Sequence, residues 1–152
     1  MPHQSVPSRV LCVCIGNGDR SPVMQAVLGM FLDNAGFVVQ VDSAGIEKSA
    51  IRGCVAEFGV FAAKRIGLDI AGQLRRHITD VDLESYDLIV TASDDIAGVL
   101  MKDYNVPTSK MHNAAVTNPW VLHHQERYDE MTMPGILVEM YNVVRFYFPR
   151  PV

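Results

Sequence analysis

The chain has 152 residues, 49% hydrophobic and 20% charged, a balance that excludes disorder, collagen and coiled coil and suits one domain with its own core, here taken as 1–152 with a disordered tail over 1–8. Its formal net charge of −4 excludes a broad basic footprint for nucleic acid, so an anion site has to be built locally from backbone amides and one or two arginines. Cys12, Cys14 and Cys54 are too few and too odd in number for a disulfide framework; with no apolar leader and no apolar run of 18 residues, the chain reads as cytoplasmic, free of membrane segments, with structural or reactive thiols.

Residues 10–15 (VLCVCI) form an unbroken apolar run, the pattern of a strand buried on both faces in a parallel sheet. A Gly/Asn/Asp loop follows over 16–19. Ser21 reads as an N-cap and Pro22 as the first helical residue of a helix ending near Gly36. A second strand is predicted over 37–41, closed by Ala44 and Gly45. A helix over 54–66 with Val55, Phe58, Ala62 and Ile66 on one face stops at Gly67. Residues 79–83 resemble a short capped helix, 86–90 a third strand, 94–102 a third helix and 110–112 a short edge strand. Residues 113–133 read as a long polar loop holding Trp120, and 134–148 as an amphipathic helix. The aromatic run 146–148 fits either core or a self-association patch, so the chain is expected to be a monomer or weak homodimer.

Strand–helix alternation of this kind predicts a single-domain α/β fold: a doubly wound four-stranded parallel sheet flanked by helices, with right-handed crossovers. Ligands bind such sheets beyond the carboxyl ends of the strands, which directs attention to the loop after the first strand.

That loop reads Cys14-Ile15-Gly16-Asn17-Gly18-Asp19-Arg20-Ser21-Pro22. Successive N–H groups of Ile15, Gly16, Asn17, Gly18 and Asp19 can curl around an oxyanion, with the helix dipole adding partial positive charge at the same point. The two glycines permit close backbone approach. Arg20 offers a planar fork matched to two phosphate oxygens. These surroundings favour the thiolate of Cys14 as nucleophile, and the Ser21 hydroxyl can donate to that sulfur. Cys12, two residues earlier, reads as inert core. No metal site or cofactor is expected, because partners for a Cys-x-Cys metal site cannot be assembled.

The segment from Val10 to Pro22 resembles the phosphate loop of the low-molecular-weight protein tyrosine phosphatases, a fold shared with thioredoxin-linked arsenate reductases. The likeness continues in Ser43-Ala44-Gly45, in 64–72 followed by Arg75-Arg76, in the third strand, and at Asn118-Pro119-Trp120. It implies that Cys14 attacks phosphorus while Arg20 and the loop amides hold the equatorial oxygens, with water then releasing phosphate. By the same resemblance Asn17 braces the loop, Ser21 assists Cys14, and Trp120 lines the aryl side of the cleft. The implied partners are a phosphorylated protein or a small phosphomonoester, with phosphate or another oxyanion in the loop.

The chain departs from that pattern inside the site. The family's general acid, an aspartate before proline, is Asn118, which donates a hydrogen bond but delivers no proton. Lost general acid catalysis costs about 10²–10⁴-fold on a poor leaving group such as a tyrosyl oxygen. Candidate substitutes are His123, His124, Glu126, Asp129, Glu130, Asp94 and Asp95. Asp19 stands where many relatives carry a second cysteine. A carboxylate there repels phosphate by about 3 kcal/mol at about 6 Å in an effective dielectric near 20, unless its side chain turns outward. Arsenate reduction is disfavoured because no cysteine follows Cys54. Two readings stay open: a cysteine-dependent phosphatase, of low activity on aryl phosphates, and a degenerate relative that binds an oxyanion or a partner without turnover.

Overall fold

The computed structural model describes residues 5–119 and 124–149. Four parallel strands, β1 (Arg9–Cys14), β2 (Gln40–Gly45), β3 (Leu88–Thr91) and β4 (Met111–Asn113), form one sheet in the order β2-β1-β3-β4. The central position of β1 explains its composition: with a strand on each side and helices on both faces, every residue from Val10 to Cys14 is buried. The four-stranded parallel sheet matches the expected fold class.

Helices α1 (Arg20–Asn34), α2 (Glu57–Arg65), α3 (Asp94–Tyr104) and α5 (Met133–Tyr147) flank the sheet. Gly36 and Gly67, at φ +84° and +83°, terminate α1 and α2 in the left-handed region that glycine enters without a Cβ penalty. The core is one cluster that joins the sheet to its helices, with Val23 and Leu28 from α1, Met140 from α5, Ile96 and Leu100 from α3 and Ile89 from β3. No helix among the described residues is long and apolar enough to cross a membrane.

Several boundaries move for physical reasons. Strand β2 begins at Gln40, not residue 37, because pairing with β1 sets its register from Arg9↔Gln40 to Cys14↔Gly45. The predicted short helix near residue 80 is two 3₁₀ turns, Ile78–Asp80 and Leu83–Ser85. The loop predicted over 113–133 is helical in its second half: a turn α4 (Gln125–Arg127) runs through a π-turn (Tyr128–Thr132) into α5. Burial of Tyr128 and Thr132 offsets the polar composition that had suggested a loop. At the amino end the Ser8 N–H and hydroxyl both donate to Asp87, at 2.7 and 2.9 Å; residues 1–4 of the expected tail lie outside the described residues. The 146–148 run divides, with Phe148 buried on Phe37 and Phe146 exposed.

Candidate active site

The loop from Cys14 to Arg20 connects the carboxyl end of β1 to the first turn of α1, and its surroundings dictate its shape. Ile46 N–H donates to Cys14 O (3.1 Å), Glu47 N–H to Ile15 O (2.9 Å), and Ala56 N–H to Gly18 O (2.8 Å). The Tyr128 hydroxyl donates to Asp19 O at 3.3 Å. A trans peptide points its N–H opposite to its C=O. Carbonyls drawn outward by these donors therefore turn the amides of Ile15, Gly16, Asp19 and Arg20 toward the cleft. The cleft is lined by Cys14, Ile15, Gly16, Gly18, Asp19, Arg20, Asn118 and Pro119, and encloses a cavity of about 20 Å³, room for one water-sized group.

Behind the loop lies a chain of side-chain hydrogen bonds. Asn17, at φ +51°, takes a left-handed conformation that asparagine tolerates better than most residues. Its Nδ2 donates to Ser21 Oγ and Ser43 Oγ, both at 2.9 Å, and its Oδ1 accepts from Arg76 N–H at 2.8 Å. Ser43 Oγ in turn donates to Gln25 Oε1 at 2.7 Å. With its oxygen accepting from Asn17, Ser21 Oγ stands 3.0 Å from Cys14 Sγ, a contact in which either atom can donate, and the same hydroxyl reaches Ala44 O at 3.4 Å. Ser21 was predicted as the helix N-cap, but Asp19 holds that place and makes no side-chain cap bond. The hydroxyl of Ser21 is taken by the site instead of the helix.

Arg20 is 4% exposed and its Nη1 donates to Val116 O at 3.1 Å, which tethers the guanidinium to the segment after β4. Asp19 is 3% exposed, and neither carboxylate oxygen completes a hydrogen bond among the described residues. Burial pushes its pKa above the usual carboxylate range, opposed by the Gly59 amide near the start of α2 and then by the Arg75 and Arg20 guanidinium groups. Asp19 Cα would lie 3.6 Å from a Cβ at Gly59, so the residue packs on the amino end of α2 while also lining the cleft.

Among the substitutes for a proton donor, Asp129 pairs with Arg65, and Asp94 accepts from Asn113 Nδ2. Ser93 Oγ donates to Asp95 and holds its carboxyl below the usual range, the wrong direction for an acid. His124 accepts from Glu126 N–H as a cap, and Glu126 and Glu130 are exposed. None of these residues lines the cleft, whereas Asn118 does. Trp120 and His123 lie outside the described residues. Cys12 is fully buried in β1, which pushes its thiol strongly up; Cys54 is exposed. Among the described residues no group of three or more His, Cys, Asp or Glu could hold a metal ion.

Residue-by-residue reading missed Gln25, Arg75 and Tyr128 as neighbours of the site. Gln25 lies inside the predicted first helix, Tyr128 inside the stretch 113–133 expected to be a polar loop, and the run Arg75-Arg76-His77 reads as a solvated face, with a docking patch for phosphoproteins as the alternative. Gly45, expected as the end of β2 and part of the Ser43-Ala44-Gly45 likeness, also abuts the loop: a Cβ there would meet Ile15 O at 2.7 Å and Asn17 N at 2.8 Å.

A parallel sheet whose central strand delivers a cysteine into a cup of inward amides, backed by a buried arginine, defines an α/β protein with a cysteine loop at the carboxyl end of its sheet. Residues 9–132 match the family model of low molecular weight phosphotyrosine protein phosphatase, and the chain belongs to that family of phosphatases. It is 31% identical over 93 residues to low molecular weight protein-tyrosine-phosphatase YfkJ of Bacillus subtilis (strain 168), a match that spans 60% of this chain and 60% of that relative. The same fold occurs in the low molecular weight protein tyrosine phosphatase from T. tengcongensis (21% identity, TM-score 0.80, covering 90% of this chain and 97% of that one). It occurs also in Vibrio vulnificus Wzb in complex with benzylphosphonate (22% identity, TM-score 0.79, covering 91% and 97%).

Proposed function

We propose that the chain hydrolyses phosphomonoesters in two displacements at Cys14. In the first, the Cys14 sulfur forms a bond to phosphorus as the bond to the ester oxygen breaks, and the leaving oxygen takes the electron pair. In the second, water attacks the phosphocysteine, releasing inorganic phosphate and restoring the thiolate. The loop amides and Arg20 hold the equatorial oxygens, where charge accumulates, through donors already in place. The Ser21 proton stabilises sulfur as nucleophile and as leaving group.

The observation that carries this reading is the 3.0 Å approach of Ser21 Oγ to Cys14 Sγ within a loop whose carbonyls are bonded outward. A site that only gripped an oxyanion has no use for a hydroxyl poised on a thiol. A second reading, oxyanion binding without turnover, is favoured by Asn118 in the cleft and by the buried carboxyl of Asp19.

Leaving-group dependence separates the two. p-Nitrophenol departs without much protonation, whereas the phenol of tyrosine, with a pKa of about 10, departs poorly as an anion. The expected result is hydrolysis of p-nitrophenyl phosphate with little turnover of phosphotyrosine. Cys14→Ser should lower the former by about 10³-fold or more. Asn118→Asp should raise phosphotyrosine turnover by about 10²–10⁴-fold. If neither ester turns over while vanadate binds, the binding reading replaces this one.

A further inference from the structure

Arg75 departs from the solvated character its sequence context suggests. Its Nε donates to Cys54 O at 2.9 Å and its Nη1 to Ala50 O at 3.1 Å, so the guanidinium is anchored at both edges and only partly exposed. The anchored group lies against the phosphate loop itself. A Cβ at Gly18 would stand 2.7 Å from Arg75 Cζ and Nη1 and 2.9 Å from Nη2, and one at Gly16 would stand 3.7 Å from Nη1. Both glycines line the cleft. The guanidinium therefore occupies the space that a side chain at Gly18 would fill.

Two of the five guanidinium N–H donors are spent on the backbone carbonyls, and those bonds require donors, not a full charge. Among the described residues the ion pairs are Arg65–Asp129 and Arg76–Asp42, neither involving Arg75. The Nη2 hydrogens have no acceptor among the described residues. The acidic group that feels Arg75 is Asp19, through space and without an ion pair. In a chain of net charge −4, a second fixed cation packed against Gly18 of the loop that lines the cleft is a local device, and its anchored guanidinium loses little freedom on binding.

We propose that Arg75 is a specificity-determining residue that selects phosphomonoesters bearing a second anionic group next to the scissile phosphate. The proposal rests on the phosphatase reading of the same cleft. The scissile phosphate occupies the loop, and the second anion, a carboxylate or a further phosphate, pairs with the Nη2 hydrogens of Arg75.

The test compares two phosphotyrosyl peptides that differ only in carrying glutamine or glutamate on either side of the phosphotyrosine, with carboxyphenyl phosphate against phenyl phosphate as the small-molecule pair. The expected ratio of kcat/KM, glutamate over glutamine, is on the order of tenfold at low salt and shrinks as salt screens the pair. In Arg75→Gln, which keeps donors but loses charge, the ratio falls to about one, and Arg75→Lys restores part of it. A preference in the aryl pair as well as the peptides places the second anion on the ester; a preference in the peptides alone places it on a flanking residue. Each ratio is taken within one variant, so a general loss from a loosened 50–54 segment cancels. Should Arg75→Gln not fold, Gly18→Ala, which displaces the guanidinium sterically, reads the same ratio. A wild-type ratio of one, or one unchanged by these substitutions, overturns the proposal. If p-nitrophenyl phosphate is not hydrolysed, the phosphatase reading has failed independently; in that case, or where the peptides turn over too slowly to measure, the same ratio is read as Kd of the peptides on Cys14→Ser. Equal Kd values would again overturn the role of Arg75.

Discussion

Asp19 is a cost that the fold tolerates at a loop position lining the cleft. Its carboxyl is buried, both oxygens lack a completed hydrogen bond among the described residues, and desolvation raises its pKa. For an acid with a folded pKa above its unfolded value of 3.8, the contribution to stability is fully present below pH 3.8 and is lost as pH rises through the folded pKa. At neutral pH the charged group therefore disfavours folding. Asp19→Asn should stabilise the chain at pH 7 by about 1–3 kcal/mol, the usual cost of a buried unpaired polar group. Urea unfolding across pH should show that advantage shrinking as pH falls toward 4. An advantage that grows on acidification would contradict the burial argument. The same substitution removes a negative charge near the loop and should tighten phosphate or vanadate.

At the scale of elements, the site is a seam between β1, α1 and the end of β2. Pairing of Cys14 with Gly45 in the sheet brings the last residue of β2 against the loop. Only a missing side chain allows this approach, since a Cβ at Gly45 would come within 2.9 Å of backbone atoms of Ile15, Asn17 and Gly16. Backbone cannot step aside as a flexible side chain can. Gly45→Ala should therefore cost about 1–3 kcal/mol and weaken oxyanion affinity, because either the sheet register or the loop must shift. Gly29, inside α1 with nothing within 4 Å of its Cβ position, makes the contrast: Gly29→Ala should be neutral or add up to about 1 kcal/mol through helix propensity. Thermal unfolding of the two variants side by side decides it, and equal effects would sink the steric account.

Across the whole molecule, the C-terminal helical segment completes the site from behind. Tyr128 is fully buried, stacks on Phe58 of α2 with centroids 6.3 Å apart, and donates to Asp19 O. The Arg65–Asp129 pair joins α2 to the same segment. Removing the ring in Tyr128→Ala should cost about 3–5 kcal/mol, with p-nitrophenyl phosphate turnover falling alongside stability. Tyr128→Phe, which deletes only the hydroxyl, should cost about 1 kcal/mol. Unfolding midpoints and initial rates for both check the claim. A Tyr128→Ala protein as stable and active as the parent would show the segment to be independent of the loop.

What could be read without coordinates followed from local patterns: buried runs for β1 and β3, glycine stops for α1 and α2, and the five-residue gap between Cys14 and Arg20 at a strand–helix junction. Each depends on residues near one another along the chain, where periodicity and turn chemistry act. The start of β2, the helical turn at 125–132 and the placing of Ser21 were misread, because pairing register, burial against distant side chains and competition between cap and thiol are settled by partners far away in the chain. Local sequence thus determined the parallel α/β class and the cysteine loop. Only tertiary packing decided that Asn17 spans from Ser21 to Ser43, that Asp19 is buried against α2, and that a guanidinium from residue 75 lies over Gly18. The reason is that those contacts join segments separated by 26 to 57 positions, and folding alone brings them within bonding distance.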